Sequence, residues 1–286
     1  MTVLETIQRS SGFLSGKGVE SPRLQAEWLL AHVLGIPRLQ LYLQFERVLT
    51  EEQVVKAREL VQRRGKREPL QHILGTVVFC GHELRVGLGA LIPRPETELL
   101  AEASVERLRG MGEAGRSFLD FGTGSGCLAV SLALGCPEAR GWALDRSVAA
   151  LALARENAAS HGLDERLVFL EGDGFAGVPE GLRFGVVVSN PPYIPSAEVQ
   201  TLEPEVRDYD PREALDGGVD GLDFYRRLAV EAPAFMLPGG WFLAELGDGQ
   251  AEAVRGLFEA QSWIVESVTA DYSGRLRVFQ ARLPEV

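Results

Sequence analysis

The sequence predicts an α/β protein, a mostly parallel seven-stranded sheet with helices on both faces, preceded by a small helical bundle and a β-hairpin linker. Three observations carry this. From residue 117 onward, short apolar runs alternate with helical patterns. A glycine-rich loop follows the first of those runs and opens a helix. Residues 1–72, by contrast, show helical spacing and capping signals only.

The elements follow in order. Ser21-Pro22 reads as a cap with proline at the first helical position, and Leu24, Trp28, Leu29 and Ala31 then fall at helical spacing. Thr50-Glu51-Glu52-Gln53 is a capping box that opens a second helix to about Arg64, ended by Gly65 and Pro69. Residues 73–93 form a linker: Thr76–Cys80 and Glu83–Val86 are β-like runs joined at Gly81-His82. The third segment, 94–286, begins with a helix opened at Glu96 or Thr97. Strands are expected at Ser117–Phe121, Gly141–Leu144, Leu167–Glu171, Phe184–Ser189, Gly240–Leu246, Ile264–Ala270 and Val278–Leu283. In sheets of this kind ligands sit beyond the carboxyl ends of the strands, where strand order reverses.

Composition narrows the function classes. The net charge is −11, but residues 1–75 hold 11 Lys and Arg against 8 Asp and Glu, a balance of +3 that leaves −14 on the rest. An acidic body disfavours a nucleic-acid groove, which needs clustered cations. The local exception, Arg63-Arg64-Gly65-Lys66-Arg67, reads as a solvated helix end, with contact to a partner as the other reading. No apolar run is long enough to span a membrane, and the N-terminus lacks a signal-peptide pattern. Cys80, Cys127 and Cys136 are odd in number and lack ligand spacing, as expected of reduced thiols in a cytoplasmic protein. The four histidines are scattered, so no metal site is expected.

Two segments carry chemistry. The first is Phe121-Gly122-Thr123-Gly124-Ser125-Gly126, after the first strand of the sheet. Its glycines permit a tight turn and close ligand approach, and the helix behind it offers free N–H groups. Asp145 ends the second strand, where a carboxylate can accept both hydroxyls of a ribose. Asp173, after the third strand, is a candidate acceptor for an adenine edge or else a turn residue between Gly172 and Gly174. The spacing alone also satisfies a dinucleotide fingerprint. Asp120 tilts the choice: a carboxylate just before the loop repels a pyrophosphate but can meet an amino-acid ammonium group.

The second segment is Asn190-Pro191-Pro192-Tyr193, after the fully apolar fourth strand. Only Asn157 and Asn190 are asparagines in all 286 residues. At Asn190 the chain places a neutral amide, able to donate and accept but not to charge, in a turn stiffened by two prolines.

Together, the loop Asp120–Gly126, Asp145, Asp173 and Asn190–Tyr193 resemble a Rossmann-like class I S-adenosylmethionine-dependent methyltransferase of the amino-methylating branch. Glu68–Gly75, Leu91–Glu98 and Ala214–Tyr225 narrow the resemblance to the PrmC/HemK family, the glutamine methyltransferases of peptide-chain release factors. The resemblance covers nearly the whole chain. It implies S-adenosylmethionine as cofactor, held by Phe121, Gly122, Thr123, Gly124, Ser125, Gly126, Asp145, Asp173, Gly174 and Asn190. It implies that the Asn190 oxygen and the Pro191 carbonyl accept the two N–H bonds of a glutamine amide, with Pro192 completing the turn and Tyr193 packed over the target. Gly174 departs from the tryptophan that relatives often carry there, so a different side chain must cover the adenine. Arg94–Thr97 resemble family residues near the site, with helix capping as the alternative. Asp271–Arg275 resemble a family loop before the last strand, with a simple turn as the alternative. The helical segment 1–72 is expected to recognise the protein substrate, and a monomer acting on neither nucleic acid nor membrane is expected.

Three rivals remain at this stage. A DNA adenine N6-methyltransferase shares the Asn-Pro-Pro-Tyr chemistry but needs a basic target-recognition region. A nicotinamide-dependent oxidoreductase leaves the Asn190 turn unexplained. A non-enzymatic scaffold leaves both intact segments unexplained.

Overall fold

A computed structural model describes residues 1–285. The chain divides into two compact units: Met1–Thr76 with Glu203–Tyr209, and Val77–Leu202 with Asp210 onward. The division thus falls after Thr76 rather than after residue 72, and most of the hairpin groups with the second unit.

The first unit is built on α1 (Val3–Ser15), α2 (Pro22–Leu34), α3 (Glu51–Gly65) and the short α4 (Leu70–Leu74). Thr2 with Glu5 and Thr50 with Gln53 form complete capping boxes, which satisfy otherwise orphaned N–H groups of α1 and α3. Ser21 does not cap α2: it sits at φ 45°, with no side-chain bond to the helix. Leu29 and Ala31 point into the core, whereas Leu24 and Trp28 are exposed. Glu27 is buried in the bundle; burial pulls its carboxyl up, and hydrogen bonds from Arg38, Arg23 and Tyr42 outweigh this to hold it below the ordinary range.

The basic stretch is not a solvated helix end. Arg64 is buried and reaches Glu205 at 2.6 Å, Arg67 bonds Glu205 and Glu203, and Arg63 bonds Glu68. Glutamates of α8 (Pro204–Arg207) and the residue before it thus consume guanidiniums that the sequence left unassigned.

In the second unit, β1 (Thr76–Phe79) and β2 (His82–Arg85) form the hairpin. Its turn is Cys80-Gly81, one residue earlier than the sequence suggested, with both residues at positive φ as a two-residue hairpin turn of this type requires. The rest alternates as α5 (Thr97–Gly110), β3 (Ser117–Phe121), α6 (Cys127–Gly135), β4 (Arg140–Asp145), α7 (Val148–Ser160), β5 (Leu167–Glu171), β6 (Phe184–Ser189), α9 (Asp223–Glu231), β7 (Met236–Glu245), α10 (Ala251–Glu259), β8 (Ile264–Ala270) and β9 (Leu276–Arg282). Sheet order is β5-β4-β3-β6-β7-β9-β8; the first five are parallel and β9 runs antiparallel to its neighbours. The chain winds outward from β3 to β5, then returns to place β6 beside β3. That reversal is the switch point at which a ligand crevice opens.

Every residue of β6 is buried, which explains its unbroken apolar run. β7 begins earlier than expected because Leu237-Pro238-Gly239 looks like a turn, while the structure absorbs it through a register shift against β6. Phe242 of β7, Phe279 of β9, Phe258 of α10 and Trp263 form one aromatic cluster, mostly edge-to-face or tilted, with centroids 4.8–6.4 Å apart.

Candidate active site

A cavity of about 310 Å³ opens at the carboxyl ends of the parallel strands. Phe121, Gly122, Thr123, Gly124, Ser125, Asp145, Asp173, Gly174, Asn190, Pro191 and Pro192 all line it. Gly126 and Tyr193 do not: Gly126 caps α6 and Tyr193 lies behind the turn.

The glycine loop is fixed by its own backbone. Gly122 and Thr123 both donate to the Leu144 carbonyl at 2.9 Å, and Gly124 donates to Asp145 Oδ2 at 2.9 Å. Gly126 sits at φ 80°, and a Cβ there would approach Ala154 of α7 to 3.0 Å. Any side chain would push α7 off the loop. Asp145 Oδ1 accepts from Ser147 N at 2.8 Å. Each Asp145 oxygen therefore spends one lone pair on holding the loop and keeps another for a ligand.

Asn157 closes the loop from behind. Its Oδ1 accepts from Arg85 N at 2.7 Å, and its Nδ2 donates to Ser125 O at 2.8 Å and to Arg85 O at 3.1 Å. It thus ties the hairpin to the glycine loop.

Asp120 differs from expectation. It is fully buried and does not line the cavity; its Oδ2 accepts from Thr123 Oγ1 at 2.6 Å and Ala129 N at 3.0 Å. Burial pushes its carboxyl up to about 7. It braces the loop and does not face a ligand ammonium group.

Asp173 lies at the far end of the cavity. Its Oδ1 accepts from Arg227 Nη1 at 2.7 Å, and that hydrogen bond holds the carboxyl below its ordinary value. Arg227 fills the space above Gly174, where a Cβ would fall 1.9 Å from its Nη2. The absent tryptophan is thus answered by an arginine from α9. Phe224, also on α9, lines the cavity, while Phe175 is buried against Phe121 and Phe235. Neither α9 residue was found from sequence, because the helix lies about fifty residues beyond the strand it serves.

The Asn190 turn is clamped on several sides. Ser189 Oγ donates to Phe121 O at 2.7 Å, tying the end of β6 to β3. Ile194 N donates to Leu215 O and Gly217 N to Ile194 O, so the segment Ala214–Tyr225 acts as a strap. Gly217 is needed there, since a Cβ would sit 2.8 Å from Pro192 O and Tyr193 Cα. Gln250 Nε2 donates to Tyr193 O at 2.9 Å. Asn190 Nδ2 donates to Thr97 Oγ1 at 3.2 Å. Among the described residues, no hydrogen bond reaches Asn190 Oδ1 or the Pro191 carbonyl.

Arg94 and Thr97 line the cavity, whereas Pro95 and Glu96 do not. Arg94 pairs with the buried Asp210 at 2.6 Å, and Thr97 does not cap its helix but faces the site. Asp271 folds its own turn through Ser273 and Arg275. Cys127 touches the cavity, and burial pushes its thiol up, which disfavours the thiolate. Among the described residues no cluster of metal-ligating groups occurs, and no helix is long and apolar enough to cross a membrane.

Comparison with known proteins gives a consistent result. Residues 5–75 match the family model described as the PrmC N-terminal domain, and residues 96–203 match the methyltransferase small domain. The release factor glutamine methyltransferase of Geobacter sulfurreducens is 45% identical over 282 residues, covering 99% of this chain and 97% of that one. The enzyme of the same name from Deinococcus radiodurans is 40% identical, covering 99% of each chain. In fold, the chain is similar to a methyltransferase from Pyrococcus furiosus (TM-score 0.52, 16% identity, 72% of this chain and 90% of that one). It is likewise similar to the T. Thermophilus 16S rRNA N2 G1207 methyltransferase in complex with AdoMet and guanosine (TM-score 0.51, 22% identity, 73% of this chain and 49% of that one).

Proposed function

From the premise that this chain belongs to the release factor glutamine methyltransferase family, we propose that it methylates the side-chain amide nitrogen of the glutamine in the Gly-Gly-Gln motif of peptide-chain release factors. The names of its relatives favour this reading over a DNA adenine methyltransferase, as does the acidity of the catalytic portion. The methyltransferase family supports S-adenosylmethionine as the methyl donor.

The residues present fit that cofactor. The glycine loop and the free N–H groups at the start of α6 suit its amino-acid end, Asp145 retains lone pairs for the ribose hydroxyls, and Asp173, Gly174 and Phe224 suit the adenine. When bound, the cofactor supplies an electrophilic methyl group on a sulfonium.

The chain's own residues do the rest. An amide nitrogen is a poor nucleophile because its lone pair is delocalised into the carbonyl. Asn190 Oδ1 and the Pro191 carbonyl are two unspent acceptors at one edge of the cavity, and that observation carries the assignment. By accepting both N–H bonds of the target, they orient its nitrogen and favour the pyramidal form reached in the transition state. Tyr193 backs the turn. Burial pushes its phenol well up, so it stays protonated and acts as a donor. No strong base lines the turn, and the proton leaves the product after methyl transfer. The first unit is assigned to recognition of the release factor, and the enzyme to the cytoplasm as a monomer without nucleic-acid or membrane partners.

The test is transfer of labelled methyl from S-adenosylmethionine to a release factor, duplex DNA and free glutamine in parallel. Label on the release factor, mapped to its Gly-Gly-Gln glutamine and absent with Asn190→Ala, is the expected result. Label on DNA overturns the substrate assignment.

A further inference from the structure

A buried carboxylate behind the Asn190 turn has no part in the reading above. Glu245 ends β7 and is only 2% exposed. Its Oε2 accepts from Thr97 Oγ1 at 2.5 Å and its Oε1 from Tyr193 Oη at 3.2 Å. Thr97 Oγ1 in turn receives Asn190 Nδ2 at 3.2 Å. Burying a carboxylate is costly unless its oxygens are satisfied. Packing alone at this position would be served as well by leucine or glutamine.

We propose that Glu245 and Thr97 form a relay of positioning residues that fixes which end of the Asn190 amide faces the target glutamine. The proposal rests on the methyl-transfer reading and concerns how its central residue is aimed. A primary amide has a donor end and an acceptor end of nearly equal size. A hydroxyl by itself welcomes either end, since it can donate or accept. Thr97 has only one hydrogen, and Glu245 in its ionised form, which the hydroxyls of Thr97 and Tyr193 and the charge of Arg277 favour against the rise from burial, can only accept. Glu245 therefore takes that hydrogen, leaving Thr97 Oγ1 with lone pairs alone for its other neighbour. Lone pairs select the NH2 end of Asn190, and Oδ1 is turned to the cavity. The sense of the amide thus follows from counting donors and acceptors. With the amide reversed, two NH2 groups would meet and the target would lose one of its acceptors.

The same carboxylate receives the Tyr193 hydroxyl, so one group braces both polar side chains of the Asn-Pro-Pro-Tyr turn. Burial raises the Glu245 carboxyl above its ordinary range, and the hydrogen bonds from Thr97 and Tyr193 work against that rise. Tyr225 Oη donates to the Glu245 backbone carbonyl at 2.7 Å, which fixes the strand end itself.

The experiment measures kcat for release-factor methylation and, separately, S-adenosylmethionine affinity by calorimetry. Wild type is assayed first, because its failure to label a release factor would count against the proposed function and not against the relay. Thr97→Val keeps the shape but removes the acceptor; it is expected to lower kcat by about 10- to 100-fold, the usual range for lost orienting contacts, with cofactor affinity within about threefold of wild type. Thr97→Ser keeps the hydroxyl and is expected to restore kcat to within about threefold. A purely space-filling role would reverse that order, since valine matches threonine better than serine does. Glu245→Leu is then made alone and in the Thr97→Val background. A relay predicts non-additivity, with little further loss in the double variant. Normal kcat in Thr97→Val, or full additivity with Glu245→Leu, overturns the proposal. If Glu245→Leu does not fold, the valine–serine contrast still decides the Thr97 link, and Glu245→Gln takes its place in the cycle.

Discussion

The carboxyl ends of β3 and β6 lie side by side, and each is served by one of the two asparagines in the chain, yet they are built on opposite terms. Asn157, behind the β3 loop, satisfies its amide on the backbone: one bond accepted, two donated. Asn190, at the end of β6, spends its donor on Thr97 and leaves its acceptor free. The contrast separates a structural amide from a chemical one better than burial or motif does. A polar side chain with every bond made holds the chain in place; one held firmly with a lone pair left over is available to a substrate. The β3 end is held by the end of β4 and by α7, the β6 end by α5, β7 and the 214–225 strap.

The sharpest way to break the comparison is at Asn190. Asn190→Ala is expected to lower kcat by at least about 100-fold, as removal of a preorganised hydrogen-bonding group does, while leaving cofactor affinity largely intact. Asn190→Asp should fail similarly if neutrality matters; near-normal turnover in either would remove Asn190 from the chemistry. On the β3 side, Asp145→Ala should act almost wholly on binding, weakening S-adenosylmethionine by about 10- to 100-fold in a titration, since one or two hydrogen bonds to a charged group are worth about 1.5–3 kcal/mol each. Unchanged affinity would refute the ribose role. Asn157→Ala strands buried backbone groups of Arg85 and Ser125 and should cost about 2–3 kcal/mol of stability by denaturant titration, with kcat at saturating substrates preserved. A kcat loss matching that of Asn190→Ala would erase the distinction.

The smallest effect concerns Asp120. Its carboxyl is raised to about 7, so the folded state prefers it protonated. That preference is complete below its ordinary value of 3.8 and is lost as pH rises through about 7. Asp120→Asn, which carries no charge, should therefore gain on wild type in melting temperature between pH 5 and pH 8. A pH-independent difference would show that the buried carboxyl is not titrating in this range.

Much of this was legible in the sequence because it is local. β3, β5, β6 and β8 were bounded correctly by apolar runs, and the glycine loop, Asp145 and the Asn190 turn announce themselves by residue type and spacing. What was hidden depends on sheet order. Thr97 and Asn190 are 93 residues apart, and Thr97 and Glu245 are 148 apart. No window of sequence shows that the ends of β6 and β7 lie side by side and meet the start of α5. The Arg63–Arg67 stretch differs from the solvated helix end for the same reason, since the glutamates that meet Arg64 and Arg67 arrive 136 to 141 positions later. Ser21 failed more locally: its left-handed backbone turns the hydroxyl away from the N–H groups that a cap must reach.

The return of the chain from β5 to β6 also sets a sequence of events in folding. β3 and β6 pair across 68 residues, Phe118 with Val186, and a parallel pairing that distant forms only after the intervening loop is closed. The cofactor-binding half, drawn from β3 to β5, has all its strands by residue 171, whereas the amide-holding half must await β6 and then Glu245 at the end of β7. A chain emerging from the ribosome therefore has its cofactor strands available before its means of activating an amide. Only when β7 has docked do both ends of the crevice belong to one folded body.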